Sequence, residues 1–271
     1  MADKNDAAHK PRQVRRKPFH SVSMNWLLPN MLTIGGLVSG LTGLRYALDG
    51  KWMAAVTLIV LAAIFDALDG RMARLLKSTS TFGAALDSLS DAVVFGVVPA
   101  LCLYLWALQG SGNFAWGTAL FFAVCVLLRL ARFNSELPDR PEYTQSFFVG
   151  IPAPAAGFLV LTPIVAEHLF NTTWLTDETT VSLVLITVGA GAVSTLPTFN
   201  GKTFKVPSQA ILPFLAFIAL LGAMIAMRPW AVYLGLASLY LASLPISCIA
   251  FYRRRSNFQK RQARLEQSPD F

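Results

Sequence analysis

The sequence predicts an all-α fold, a polytopic membrane helical bundle of about eight transmembrane helices with both termini cytoplasmic. Composition is the first observation behind it. Of 271 residues, 54% are hydrophobic and only 14% charged, a balance too apolar for an ordinary soluble domain in a chain too short for several large ones. The second is a series of apolar runs of membrane-spanning length, at roughly 31–48, 52–76, 82–108, 114–133, 150–170, 181–198, 209–227 and 230–251. The third is the sorting of positive charge. With an even number of spans and the termini inside, 20 of the 23 Lys and Arg residues fall on the inner side, and only Arg45, Lys51 and Arg228 outside, as the positive-inside rule requires. The six tryptophans, Trp26, Trp52, Trp106, Trp116, Trp174 and Trp230, stand at the ends of these runs, where aromatic belts form. The net charge of +8 therefore reads as topology and anion binding, and no nucleic acid is expected as a partner.

Along the chain, a basic cytoplasmic tail with an interfacial segment (1–28) precedes one membrane domain (29–251) and a second basic tail (252–271). Lys4, Lys10, Arg12, Arg15, Arg16 and Lys17 make the first tail a disordered arm attracted to anionic lipid headgroups. Ser21 to Asn30, with Met24, Trp26, Leu27 and Leu28, follows as a short interfacial segment. The first apolar run begins so late that no cleavable signal peptide is expected. Cys102, Cys125 and Cys248 all sit in apolar runs, which suggests neither a disulfide framework nor a zinc site. The sequon at Asn171-Thr172-Thr173 reads as fortuitous. Gly36 and Gly40, four residues apart in the first span, predict close helix packing.

The chemistry concentrates between Asp66 and Asp91. Asp66, Asp69, Gly70, Ala73 and Arg74 fall within roughly 140° of one another on a helix. Gly83, Asp87 and Asp91 step by four and stack within roughly 80° on a second. A turn around Lys77 to Thr81 sets the two faces opposite each other, so four carboxylates converge on one cleft. An ionisable group in an apolar setting costs at least about 2.5 kcal/mol unless paired, hydrated or metal-bound, and the basic residues nearby are too few to neutralise four acids. Hard carboxylate oxygens suit Mg²⁺, Mn²⁺ or Ca²⁺, and four acids can hold two divalent ions, the arrangement used for in-line phosphoryl displacement. Gly70, Ala73 and Gly83 leave room for a ligand beside the backbone. Trp52 to Phe65 is purely apolar, about 21 Å of helix, so the acids lie in the cytoplasmic half of the bilayer near the headgroup boundary.

Asp66-x-x-Asp69-Gly70-x-x-Ala73-Arg74, eight residues, then Gly83-x-x-x-Asp87-x-x-x-Asp91 resembles the signature of the CDP-alcohol phosphotransferases, with no departure at any fixed position. The resemblance implies an integral membrane enzyme that moves a phosphoalcohol or phosphatidyl group from a CDP-linked donor to an alcohol. It implies that Asp66, Asp69 and Asp87 bind two divalent ions, Mg²⁺ or Mn²⁺, and that Asp91 joins the site and acts as base. Gly70, Ala73, Arg74 and Gly83 would line the CDP pocket, and family members are commonly homodimers. Pro29-Asn30-Met31-Leu32-Thr33 reads either as ordinary helix-start chemistry with Asn30 as cap or, since relatives carry a similar Asn-x-x-Thr, as Asn30 and Thr33 facing the nucleotide.

Two further stretches narrow the resemblance to the bacterial and archaeal membrane-bound phosphatidylserine synthases. Arg129-Leu-Ala-Arg132-Phe133-Asn134 ends the fourth span, and Gly150-Ile-Pro152-Ala-Pro154-Ala-Ala156 begins the fifth. The arginines read either as a snorkelling pair or as a clamp for phosphate or carboxylate. The proline-broken backbone belongs beside a cavity, since irregular backbone in a membrane is tolerated chiefly there. The implied substrates are CDP-diacylglycerol and L-serine, with Arg129, Arg132 and Asn134 as acceptor-binding candidates. Lys202 and Lys205, between the sixth and seventh spans, are loop residues or reach a phosphate. A sister enzyme using glycerol phosphate or inositol phosphate shares the aspartate signature, and a cation-coupled transporter would also carry intramembrane acids.

Overall fold

In the computed structural model, residues 24–135, 147–199 and 210–266 are described. They form helices α1 (Met24–Leu48), α2 (Trp52–Leu75), α3 (Thr81–Leu108), α4 (Gly112–Ser135), α5 (Ala153–Phe170), α6 (Glu178–Val193), α7 (Ile211–Met227) and α8 (Pro229–Glu266). Two three-residue strands, β1 (Phe147–Val149) and β2 (Pro197–Phe199), pair antiparallel with Phe148 opposite Thr198. Six of these helices carry a segment long and apolar enough to cross a membrane, while α6 and α7 are shorter apolar helices. The protein is thus an all-α polytopic membrane protein. The basic arm before residue 24, and Glu136, Arg140, Lys202 and Lys205, lie outside the described residues.

Small residues bring α1 against its neighbours. A Cβ added at Gly36 would lie 3.4 Å from the Ala62 carbonyl of α2, one at Gly43 3.1 Å from that of Ala55, and one at Gly40 2.8 Å from Val94 of α3. Gly36 and Gly40 therefore do pack helices closely, each against a different partner. In lipid such close approach replaces the hydrophobic drive that water supplies elsewhere. The core between them is built from buried Val56, Ile59, Val94, Phe95, Val98, Phe122 and Val126.

Two expectations are corrected. The segment from Ser21 to Asn30 is not a separate interfacial piece over its described part, because α1 already starts at Met24. Pro29 stands only a turn into this helix, where its missing N–H forfeits one bond near an end that lacks partners in any case. Asn30 is consequently inside the helix and is not its cap. At the other end, the apolar span of α8 ends at Phe251 as expected, and the helix runs on past it to Glu266.

Prolines also shape the helices that carry the site. α3 widens into a π-helical stretch at Ala92–Val97, directly after Asp91. Pro99 has no N–H to offer the Phe95 carbonyl, and a wider turn relieves the clash of its ring. α5 is interrupted at Leu161, ahead of Pro163, where Thr162 Oγ1 donates to the Leu159 carbonyl at 2.7 Å.

The chain enters α5 through a fixed corner. Gly150 has φ +76°, its N–H donates to the Leu196 carbonyl at 2.8 Å, and its own carbonyl accepts from Thr198 Oγ1 at 3.0 Å. A Cβ here would collide with the Ala192 carbonyl and stand 2.9 Å from that of Ser194. Gly150→Ala should therefore destabilise the protein by about 2 kcal/mol or more. A thermal melt in detergent checks it, and a parental melting temperature would contradict this account of the corner.

Candidate active site

The amino ends of α1, α3 and α5 and the carboxyl ends of α2 and α4 meet at one end of the bundle. The turn joining α2 to α3 follows from local hydrogen bonding. Lys77 takes a left-handed conformation with φ 50°, and the Ser78 and Lys77 N–H groups donate back to the Ala73 and Arg74 carbonyls at 3.0 and 3.3 Å. This is a Schellman stop. Ser80 then caps α3, its Oγ accepting from the Gly83 N–H at 3.0 Å. The two acid-bearing faces are thereby turned toward each other.

Asp66, Asp69 and Asp87 each place a carboxylate oxygen within 4.8 Å of the others. Asp69 is buried, 4% exposed, and accepts at Oδ2 from Thr33 Oγ1 at 2.6 Å. Asp91 joins them, lining a small cavity with Asp66, Asp69 and Asp87, and the Arg129 guanidinium interacts with it electrostatically. Among the described residues the close ion pair is Arg45 with Asp49, 3.9 Å apart, at the opposite end of α1. No Lys or Arg among them pairs directly with any of the four acids. Asp87 Oδ1 is enclosed with no hydrogen-bond partner. Oxygen-only donors, crowded, partly buried and without a direct ion-pair partner among the described residues, fit hard divalent cations.

Beside the acids lies a cleft of about 200 Å³, lined by Asn30, Thr33, Asp69, Gly70, Ala73, Arg74, Gly83 and Asp87, with Pro29, Ser78, Thr79, Ser80 and Ala84. All six residues expected to face the nucleotide are on this wall. Gly83 is needed for room, since a Cβ there would come within 3.1 Å of both Asn30 Oδ1 and Ser80 Oγ. The polar run Ser78-Thr79-Ser80 was not singled out from the sequence, although its position between the two halves of the aspartate motif was the available signal. Ser78 Oγ is enclosed without a partner.

The acceptor candidates part company. Arg129 is 8% exposed, interacts electrostatically with Asp91, and has its Cζ 5.7 Å from the Phe133 ring centre. Its Nε has no partner. Arg132 instead points its Nη1 at the Val193 and Ser194 carbonyls, 3.2 and 3.4 Å away, where α6 ends. Asn134 Nδ2 donates to Ser88 Oγ at 3.0 Å, tying the end of α4 to α3.

A membrane helical bundle with this carboxylate cluster is matched by the family model for CDP-alcohol phosphatidyltransferase over residues 26–190, which includes all four acids and both walls of the cleft. The chain belongs to that family. Over 223 residues it is 37% identical to a protein of Mycobacterium leprae named CDP-diacylglycerol–serine O-phosphatidyltransferase, covering 82% of this chain and 74% of that one. It is 31% identical over 218 residues to a protein of the same name from Helicobacter pylori, covering 79% and 89%. A third protein of that name, from Methanocaldococcus jannaschii, is 36% identical over 152 residues, 55% of this chain and 66% of that one.

Proposed function

We infer that this chain transfers the phosphatidyl group of CDP-diacylglycerol to the hydroxyl of L-serine, giving phosphatidylserine and CMP. The observation that carries the reading is the cluster of Asp66, Asp69 and Asp87 on facing helix ends without basic partners, beside a cleft lined by Asn30, Thr33, Gly70, Ala73, Arg74 and Gly83. The acceptor follows from the relatives that carry the serine-transferring name.

Each residue then has a part. Asp66, Asp69 and Asp87, with Asp91 at the edge, would hold the divalent ions. Bound there, Mg²⁺ or Mn²⁺ supplies positive charge against the donor diphosphate and the departing phosphate of CMP. Asn30, Arg74 and the small residues Gly70, Ala73 and Gly83 seat the CDP moiety against the helix backbones. Thr33 fixes the Asp69 carboxylate through its hydrogen bond, keeping that side chain in one rotamer. Asp91 takes the proton of the serine hydroxyl as its oxygen bonds to the phosphatidyl phosphorus and the bond from that phosphorus to CMP breaks. Arg129 supplies the positive charge for the serine carboxylate. Arg132 acts at one remove, holding the end of α6 beside the Gly150 corner, while Asn134 braces α4 on α3.

The chain is organised as tails 1–28 and 252–271 around a membrane domain 29–251. Counting α6 and α7 with the six longer helices gives eight crossings, both termini cytoplasmic and the site opening to the cytoplasm, where CDP-linked lipid and serine meet. Since α7 has no buried residue, lipid or a second copy covers it, in keeping with a homodimer.

An acceptor panel tests the function. With CDP-diacylglycerol and Mg²⁺ or Mn²⁺, the purified protein should release CMP on addition of L-serine and much less with glycerol 3-phosphate or inositol phosphate. A protein that ignored serine but responded to either phosphate would overturn the acceptor and leave the aspartate site standing. No CMP with any acceptor would overturn the transferase reading.

A further inference from the structure

We propose that a cavity at the end of the bundle opposite the carboxylates binds the headgroup of a zwitterionic phospholipid, one that carries an ammonium beside its phosphate, as phosphatidylethanolamine does. This site is independent of the transferase reading. The cavity holds about 330 Å³, with Lys51, Trp52, Met53, Trp106, Glu167 and His168 on its walls. That volume lies at the lower end of small-ligand pockets, about 300–1,000 Å³. Trp52 opens α2 and Asp66 comes fourteen residues later, so about 21 Å of helix separates the cavity from the acids. Local structure brings its walls together. Gly50 has φ +72°. Its N–H donates to the Ala47 carbonyl at 3.0 Å, and the Lys51 N–H to that of Tyr46 at 2.9 Å, a Schellman stop that ends α1 and delivers Lys51 to the cavity. Trp106 lies in a π-helical stretch of α3, Tyr104–Leu108, and Glu167 and His168 in the last turn of α5.

Lys51 and Glu167 put opposite charges on one cavity wall, yet they do not pair. Among the described residues neither forms an ion pair, and the Lys51 Nζ stands instead 5.5 Å from the Tyr46 ring centre. A cavity that keeps a cation and a carboxylate apart suits a guest that bears both signs. Lys51 is exposed, and its ammonium offers three donors to a phosphate. Glu167 is half-buried and shares the cavity with two tryptophans, the side chain whose ring attracts ammonium groups most strongly. Depth fits as well. Trp52 and Trp106 stand at span ends, the level at which tryptophans meet lipid headgroups, while Met53 and Ile164 give the cavity apolar wall. His168 meets Trp230 of α8 edge-on, ring centres 6.4 Å apart, which ties the end of α5 in place. The same chemistry selects among headgroups. Phosphatidylglycerol has no ammonium for Glu167, and phosphatidylserine carries a second carboxylate on the carbon that bears its ammonium, where it would be repelled by Glu167.

Native mass spectrometry of the full chain in detergent, titrated with dioleoyl phosphatidylethanolamine, phosphatidylglycerol or phosphatidylserine, tests the site. The parent should bind phosphatidylethanolamine about fivefold or more tighter than either of the other two, the scale of one partly exposed ion pair. Glu167→Gln should lose that preference, and Trp106→Leu should weaken phosphatidylethanolamine as well. Glycerophosphoethanolamine, the same headgroup without chains, should displace the lipid only at concentrations about 100-fold higher or more, because it has no methylenes to bury. Equal affinity of the parent for the three lipids would overturn the proposal without recourse to any variant, as would an undiminished preference in Glu167→Gln. Displacement by glycerophosphoethanolamine at a concentration equal to that of the lipid would overturn the assignment of a phospholipid as the occupant.

Discussion

Asp87→Asn should abolish useful turnover, by roughly 10²–10³-fold or more, the scale on which one preorganised electrostatic element acts. The reason is charge and not shape. Asp87 stands within 4.8 Å of Asp66 and Asp69, and its Oδ1 has no partner within the protein, so its role is filled only when a cation is present. An amide keeps the volume and loses the negative charge. The same substitution makes a second, opposite prediction for stability. In chelator the parent protein holds mutually repelling carboxylates in a low-dielectric cleft, a cost that removing one of them relieves. Asp87→Asn should therefore melt higher than the parent in chelator. In Mn²⁺ or Mg²⁺ the order should reverse, because a ligand that binds the folded state at about 100 times its Kd stabilises the parent by about 2.7 kcal/mol. Near-normal activity at ordinary metal concentrations, or an equal metal-induced shift in the melting temperature, would contradict the assignment of Asp87 as a ligand.

Asp91→Asn should behave differently. Asp91 lies one turn beyond Asp87, lines a small cavity with the other acids and interacts electrostatically with Arg129, so it borders both the proposed metal ligands and the proposed acceptor site. An asparagine there cannot accept the hydroxyl proton, and kcat should fall by about 10²-fold or more, the usual contribution of a general base. The KM for CDP-diacylglycerol and most of the metal-induced thermal shift should survive, since Asp66, Asp69 and Asp87 remain. Single-turnover measurements at saturating donor separate the two effects. A variant that lost donor binding yet turned over normally at saturation would make Asp91 a ligand only, and the base would have to be sought elsewhere.

The contrast between these acids and the arginines shows which parts of the site were legible in advance. Asp66 with Asp69, and Asp87 with Asp91, are related by three and four residues, and a helix converts that spacing into a shared face without help from the rest of the chain. The stop at Lys77 and the cap at Ser80 are equally local. Likewise the apolar runs specify helices, because a backbone in lipid must satisfy its own hydrogen bonds within the segment. Asn30 and Thr33, which the sequence leaves open between helix-start chemistry and the nucleotide site, both line the cleft, and the helix that carries them begins earlier than the apolar run does.

Arg129 and Arg132 are also three apart, on one helix, and nothing in that spacing distinguishes them. Their separate fates depend on partners far along the chain: Arg132 meets Val193 and Ser194, more than sixty residues away, and Arg129 interacts electrostatically with Asp91 of another helix. Pairings of that kind are set by how helices cross and where prolines at 99, 152 and 163 break them, and only the packed bundle expresses this. The sequence alone thus determined a helical membrane protein with a four-carboxylate face, because both properties follow from periods of a few residues. The tertiary structure decided which arginine lies near the acids and why Gly150 turns where it does, because each depends on segments that share no local period.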